Sequence, residues 1–184
     1  MRLRNRFRIE DRGRVVSVDF SDFKGSSNLR ILLTRSLPQL AEVTRLQELT
    51  ISGCKELDPC LPPEIGTLCH LATLKISEFH KLRSLPKEIG DLSCLKQLTV
   101  ELCGSLSFLP VAVGKLAALE KLDLSSCESL ICLPAGIGGL SNLKWLDLSY
   151  CSELVSLPVV IGNLKARLED LDLLCCYSLT SLPS

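Results

Sequence analysis

The stretch LKWLDLSYCSELVSLPVVIGNL, Leu143 to Leu164, decides how this chain folds. Leucines stand at offsets 0, +3 and +5, a cysteine at +8, and leucines again at +11 and +14. Pro follows at +15, an Ile-Gly pair at +18 and +19, and leucine at +21. The same frame opens at Leu46, Leu71, Leu95, Leu119 and Leu168, with steps of 24 or 25 residues. Val15, Val18, Phe20 and Phe23 fit the first four anchors of an earlier unit, lengthened by an insertion near residues 26–33. Around +3 to +5, inward aliphatic residues alternate with outward polar ones, the period of a half-buried strand. One strand per unit at a constant interval stacks into a parallel sheet whose columns are the offsets of the frame. The Leu-Pro and Ile-Gly pairs lie too close together for more than one or two helical turns. Proline fits the start of such a turn, and glycine is expected at its left-handed exit.

A unit of this length with the order L-x-x-L-x-L-x-x-C-x-x-L is the leucine-rich-repeat signature. The expected fold is an α/β leucine-rich-repeat solenoid of about seven repeats. It has a curved parallel β-sheet on the concave side and short helical or 3₁₀ turns on the convex side. Residues 15–184 form the repeat domain, and residues 1–14 a basic N-terminal cap or arm. In that segment Leu3, Asn5, Phe7 and Ile9 alternate with Arg2, Arg4, Arg6 and Arg8, and Asp11-Arg12-Gly13 can close a hairpin into the first repeat. As a cap, the arginines shield the first sheet edge; as an arm, they reach for phosphate or anionic lipid. At the other end SLTSLPS stops inside the last repeat, which is incomplete and has no C-terminal cap. Leu168, Leu171, Leu173, Leu179 and Leu182 there form an apolar layer that self-association, a partner or further chain would cover.

Bulk properties narrow the function. Lys plus Arg and Asp plus Glu both total 21, so net charge gives no case for nucleic acid. There is no run of 18 apolar residues and so no membrane span. The sequence MRLRNRFRIEDRGR lacks the apolar stretch of a secretory signal. None of Asn5, Asn28, Asn142 and Asn163 begins a glycosylation sequon. Of the ten cysteines, Cys54, Cys103, Cys127, Cys151 and Cys176 share offset +8. Their side chains would run parallel in a row, which does not suit a disulfide. They read as small hydrophobes with a weak S–H donor, filling a tight turn. The remaining cysteines (Cys60, Cys69, Cys94, Cys132 and Cys175) make no C-x-x-C zinc framework. Reduced thiols favour the cytosol or nucleus.

Catalysis finds no support. Val113-Gly114-Lys115 lacks the upstream glycine of a phosphate loop, and Leu116 stands where Ser or Thr is needed. His70 and His80 occupy different frame positions, with no nucleophile placed to pair with either. The chain reads as a non-enzyme without cofactor or metal. Function is expected instead on the concave columns. Offset +2 gives Ser17, Glu48, Thr73, Gln97, Lys121, Trp145 and Asp170. Offset +4 gives Asp19, Thr50, Lys75, Thr99, Asp123, Asp147 and Asp172, and +6 includes Glu101 and Ser149. Trp145, with Tyr150 at the strand's end, is the aromatic anchor of this face, since nothing in the frame requires an aromatic there. Asp123, Asp147, Asp170 and Asp172 gather beside it; they read equally as solvated filler or as a surface for a basic partner. The partner-binding set is Trp145, Tyr150, Asp123, Asp147, Asp170, Asp172, Lys121, Gln97 and Glu101. On the convex side, Val111-Ala112, Ala135-Gly136 and Val159-Val160 form an apolar stripe that either docks another domain or fills the turns.

From Leu46 to Pro183 the motifs L-D-L-S-x-C, C-x-x-L-x-x-L-P and L-P-x-x-I-G-x-L resemble the repeat domain of plant intracellular nucleotide-binding leucine-rich-repeat disease-resistance proteins. The resemblance implies a protein–protein recognition module acting in plant defence. By that analogy it binds a pathogen effector or host protein and docks in autoinhibition on the receptor's nucleotide-binding module. The chain departs from that family in having no phosphate loop, which implies a part or remnant of a receptor. The alternative is an intracellular Ras-group-type leucine-rich-repeat scaffold. Its units resemble L-P-x-x-I-G-x-L too but carry Asn at +8, where this chain has Cys at five of seven positions and Phe23 and Phe79 at the others.

Overall fold

A computed structural model describes residues 7–9, 15–19, 46–52, 61–164 and 166–183, with only the backbone of the first two stretches. One eight-stranded sheet runs through them in chain order. Its strands are β1 (Phe7–Ile9), β2 (Val15–Asp19), β3 (Glu48–Ser52), β4 (Thr73–Ser77), β5 (Gln97–Glu101), β6 (Lys121–Asp123), β7 (Trp145–Asp147) and β8 (Asp170–Asp172). From β2 to β8 every neighbour is parallel, and β1 returns antiparallel on β2. The turn at residues 11–13, the arginines at 2, 4 and 6, the insertion near 26–33, Phe20, Phe23, Cys54 and Cys60 lie outside the described residues.

The register converts frame offsets into physical columns. Ser17, Glu48, Thr73, Gln97, Lys121, Trp145 and Asp170 pair in one unbroken row. Asp19, Thr50, Lys75, Thr99, Asp123, Asp147 and Asp172 make the next. Slipping one strand by one residue would turn its leucines to solvent, so burial fixes the register. The leucines at 0, +3 and +5 of the unit opening at Leu143 (Leu143, Leu146 and Leu148) are all at 0% exposure. In the last unit Leu168, Leu171, Leu173 and Leu179 are only half-buried, and Leu182 is exposed.

The returning half of each unit starts on its Leu-Pro pair. Among the described residues five 3₁₀ turns follow: η1 (Pro63–Thr67), η2 (Lys87–Asp91), η3 (Val111–Lys115), η4 (Ala135–Gly139) and η5 (Val159–Leu164). Proline precedes the first four as an extended N-cap, with φ between −66 and −69°. The glycine does not serve as a left-handed exit. The exits are Leu68, Leu92, Leu116 and Leu140, all at negative φ. Glycine is required because the next layer lies against it. A Cβ on Gly66 would stand 2.8 Å from the Glu88 carbonyl oxygen, and one on Gly90 2.5 Å from that of Ala112. On Gly114 it would come closer still to the Gly136 carbonyl.

The structure adds a ladder that the frame did not announce. At +12, Ser107 N–H donates to the Arg83 carbonyl (3.1 Å), Ile131 to Ser107 (3.3 Å), Val155 to Ile131 (3.0 Å) and Thr180 to Val155 (3.4 Å). Parallel bridges Ser84–Phe108 and Cys132–Ser156 accompany it. A second rail of backbone hydrogen bonds thus ties the layers together on the returning side, where extended segments would otherwise leave polar groups unpaired.

Candidate functional site: the concave sheet face

Along the +2 column, β6, β7 and β8 present Lys121, Trp145 and Asp170 side by side. Lys121 Nζ lies 3.9 Å from the centre of the Trp145 ring. On the other side, Trp145 Nε1–H donates to Asp170 Oδ2 at 3.1 Å. The indole is therefore held between a cation on its π-face and a carboxylate on its N–H, and stays half-exposed. An exposed cation–π contact is worth about 0.5–1 kcal/mol, enough to restrict a rotamer without anchoring the fold. Gln97 continues the column and is exposed. One column over, Lys75 Nζ pairs with Glu101 Oε1 at 2.7 Å. On the rim, Lys144 Nζ donates to Glu120 Oε2 at 2.7 Å, which holds the Glu120 carboxyl below its ordinary range and lifts the lysine above its own.

The +4 carboxylates have a second task. In β4 and β5 this position holds Lys75 and Thr99, and the strands run five residues. In β6, β7 and β8 it holds Asp, and the strands stop after three. The cause is local. Asp123 Oδ1 accepts from Ser125 N–H (3.1 Å), Asp147 Oδ1 from Ser149 N–H (2.8 Å) and Asp172 Oδ1 from Leu174 N–H (2.8 Å). In regular parallel pairing that N–H would go to the +5 carbonyl of the preceding strand. Here the +5 carbonyl receives the cysteine instead. Cys127 Sγ donates to Val100 O (3.2 Å), Cys151 to Leu124 O (3.2 Å) and Cys176 to Leu148 O (3.1 Å). Asp at +4 and Cys at +8 therefore exchange one ladder bond for two side-chain bonds. The chain then turns through +7 in the left-handed region, with φ of 57° at Ser126, 60° at Tyr150 and 61° at Cys175.

Burial sets the chemistry of these thiols. Loss of solvation raises Cys103 to about 11 and Cys151 to about 12, pushes Cys127 higher again, and raises Cys176 as well. They remain protonated donors at neutral pH. The exposed thiols among the described residues are Cys69, Cys94 and Cys132.

Comparison with known proteins agrees with this geometry. The Leucine Rich Repeat profile matches residues 142–164. A leucine-rich-repeat protein of Leptospira interrogans superposes with a TM-score of 0.69 at 28% identity, over 98% of this chain and 52% of that one. The chain folds as a leucine-rich-repeat solenoid. The leucine-rich repeat domain of the type III effector XopL is similar as well, with a TM-score of 0.57 and 30% identity over 80% of this chain and 66% of that one. The solenoid thus spans about half of the Leptospira protein and 66% of the effector domain. No curated protein matches it in sequence. No helix among its described residues is long and apolar enough to cross a membrane.

The solenoid brings the sequence-derived residues together unevenly. Lys121, Trp145 and Asp170 form one contact chain, and Glu101 is taken by Lys75. Asp147 and Asp172 each commit one oxygen to a turn and lie half-buried in adjacent layers. Asp123, expected on the open face, is only 9% exposed and also accepts from Ser125 Oγ at 2.8 Å. Ser149, likewise expected to point outward, is 6% exposed. Both are covered by the layers that flank them. Tyr150, 51% exposed, stands on the rim. Leu174, in the outward +6 column but outside the expected partner-binding set, and Tyr177, which sequence reading missed, are 57% and 81% exposed on the same rim. The signal was present, because the frame puts Leu174 at a +6 position that is polar in the neighbouring units.

Proposed function

We propose that this solenoid is a non-catalytic protein-recognition module whose concave face engages another protein around Trp145. The observation that carries the reading is the Lys121–Trp145–Asp170 chain. It holds a large aromatic group ready on an exposed sheet, with Tyr150 on the rim above, and such pre-organised aromatics are the residue type that anchors interfaces. Asp147, Asp170 and Asp172 give that half of the face a negative surround, fitted to a partner carrying basic groups. Gln97 and Glu101 extend the contact surface toward the N-terminal layers.

Within that reading we place the module in a plant intracellular immune receptor, recognising an effector or host protein and docking on the nucleotide-binding module. Support comes from the Asp at +4 and Cys at +8, the residues that distinguish the resembling motif, and which act together in this structure. The thiol ladder works only with protonated, unoxidised cysteines, which supports a cytosolic or nuclear site. The half-buried leucines of the last layer offer a further contact surface for a partner or a second copy, and the basic N-terminal segment serves as cap or arm.

The test is binding by the intact chain and by Trp145→Ala to a partner identified by affinity capture, with the nucleotide-binding module of a plant intracellular immune receptor as the named candidate. Trp145→Ala should weaken binding tenfold or more, on the order of 1.4 kcal/mol or above, while the thermal midpoint stays nearly unchanged. Equal binding by the variant, or a large loss of stability, would assign Trp145 a purely structural role.

A further inference from the structure

The +12 ladder carries a surface with its own symmetry. Its first four rungs, Arg83, Ser107, Ile131 and Val155, are joined in sequence by backbone hydrogen bonds and belong to four successive layers, with Thr180 continuing the ladder into a fifth. The two middle layers present Phe108 and Ile131, 54% and 50% exposed, apolar groups that the frame does not require there. The outer layers carry opposite charges. Arg83 stands in the first of the four, and Glu153, two residues ahead of the 46% exposed Val155, in the fourth. Both are exposed, and neither has a side-chain partner among the described residues.

We propose that this flank is a self-complementary docking surface for a second copy of the chain. A two-fold axis between the two middle layers sets Phe108 and Ile131 of one copy against the same pair of the other. It also sets each first layer against a fourth layer, so Arg83 of one copy lies over Val155 of the other and reaches two residues along the chain to Glu153, twice. An isologous interface requires this arrangement, in which each residue of a contacting pair appears on both sides. An apolar centre with a charged rim matches the usual anatomy of protein interfaces. Like charges at both ends of the flank would have forbidden it. Four layers about 4.8 Å apart make a short contact, so the pairing is weak and reversible. The concave face remains open in such a dimer, and the inference stands apart from recognition through Trp145.

Sedimentation equilibrium of the 184-residue chain across the micromolar range tests it. The expected result is a reversible monomer–dimer equilibrium that weakens in high salt, because the rim pairs are exposed. Arg83→Glu and Glu153→Arg should each raise the dimer Kd about tenfold, since each removes two attractions and adds two repulsions. The double variant, with the charges exchanged, should return to within about threefold of the parent. Ile131→Asp should abolish dimers, and Leu174→Asp on the last layer should leave them intact. All four positions are exposed, and circular dichroism verifies that each variant folds. A monomer at every concentration would overturn the proposal, as would a double variant no better than the singles. Dimers dissolved by Leu174→Asp and not by Ile131→Asp would overturn it too.

Discussion

Replacing the glycines that follow Ile65, Ile89 and Val113 by alanine should destabilise the solenoid in a graded order set by how closely the next layer approaches. At an ordinary site with negative φ, Gly→Ala stabilises by about 0.4–1 kcal/mol by restricting the unfolded chain. Gly104 supplies that baseline, because the nearest atom to its added Cβ, Glu128 Oε2, is 4.0 Å away. At Gly66 the methyl would lie 2.8 Å from the Glu88 carbonyl oxygen, and at Gly90 2.5 Å from that of Ala112. At Gly114 the obstacle is the Gly136 backbone, closer again. Comfortable contact needs roughly 3.5 Å, so the layers must part by roughly 0.7, 1 and well over 1 Å respectively. Overpacking of this kind costs about 1–3 kcal/mol, occasionally more. Set against the small alanine gain, Gly66→Ala should lose about 1 kcal/mol, Gly90→Ala about 2 and Gly114→Ala about 3 or more, with Gly104→Ala neutral or slightly stabilised. Urea unfolding followed by far-ultraviolet circular dichroism ranks the four. If Gly114→Ala proves as stable as Gly104→Ala, or the order reverses, the close approach of layers is not what excludes a side chain at these glycines.

Tyr150→Gly should leave stability within about 1 kcal/mol of the parent or raise it, because Tyr150 sits at φ 60° where a Cβ is strained; a clear drop in midpoint would show that its ring contributes to the fold. Alkaline pH should weaken the solenoid through the buried thiols. Below about pH 8.5 folded and unfolded chains both hold these protons, whereas above it only the unfolded thiols ionise. Stability therefore falls by about 1.4 kcal/mol per pH unit per thiol, until pH reaches about 11 for Cys103 and about 12 for Cys151; a Cys151→Ala variant with the same pH slope as the parent would contradict this. Maleimide applied to the folded protein should label Cys69, Cys94 and Cys132 and spare Cys103, Cys127 and Cys151, a pattern read by mass spectrometry of peptides. Asp147→Ala should cost about 1–2 kcal/mol by leaving the Ser149 N–H without its acceptor, and Asp147→Asn less, because an amide oxygen can still accept; equal stability of all three in thermal unfolding would deny the turn role.

Much of the site could be read before any coordinates. Trp145, Lys121 and Asp170 shared an offset, and a constant offset in a stack of identical layers means adjacency across strands. What the offsets did not convey was direction and distance within a layer. Asp123 and Asp147 share a column and a residue type, yet one is buried and the other half-exposed, because the surrounding layers cover them differently. The ion pair of Lys75 with Glu101 crosses from +4 to +6 in the next layer, a diagonal that a column-by-column reading passes over. The +12 ladder escaped for another reason. It is made of backbone groups beneath Arg83, Ser107, Ile131 and Val155, residues with no common side-chain character.

The sequence alone determined the repeat, its length, the parallel order of strands and the columns they form, because burying the aliphatic residues permits a single register in each layer. Tertiary structure alone decided what the punctuating residues are for. Glycine before the last leucine of a unit is demanded by the carbonyl of the next layer and not by its own dihedral angles, whereas among the described residues the left-handed turn at +7 is made by Glu78, Leu102, Ser126, Tyr150 and Cys175, none of them glycine. A local propensity describes one residue in its own peptide plane. The spacing of stacked layers is a property of the assembled molecule, and only there does a missing side chain acquire its reason.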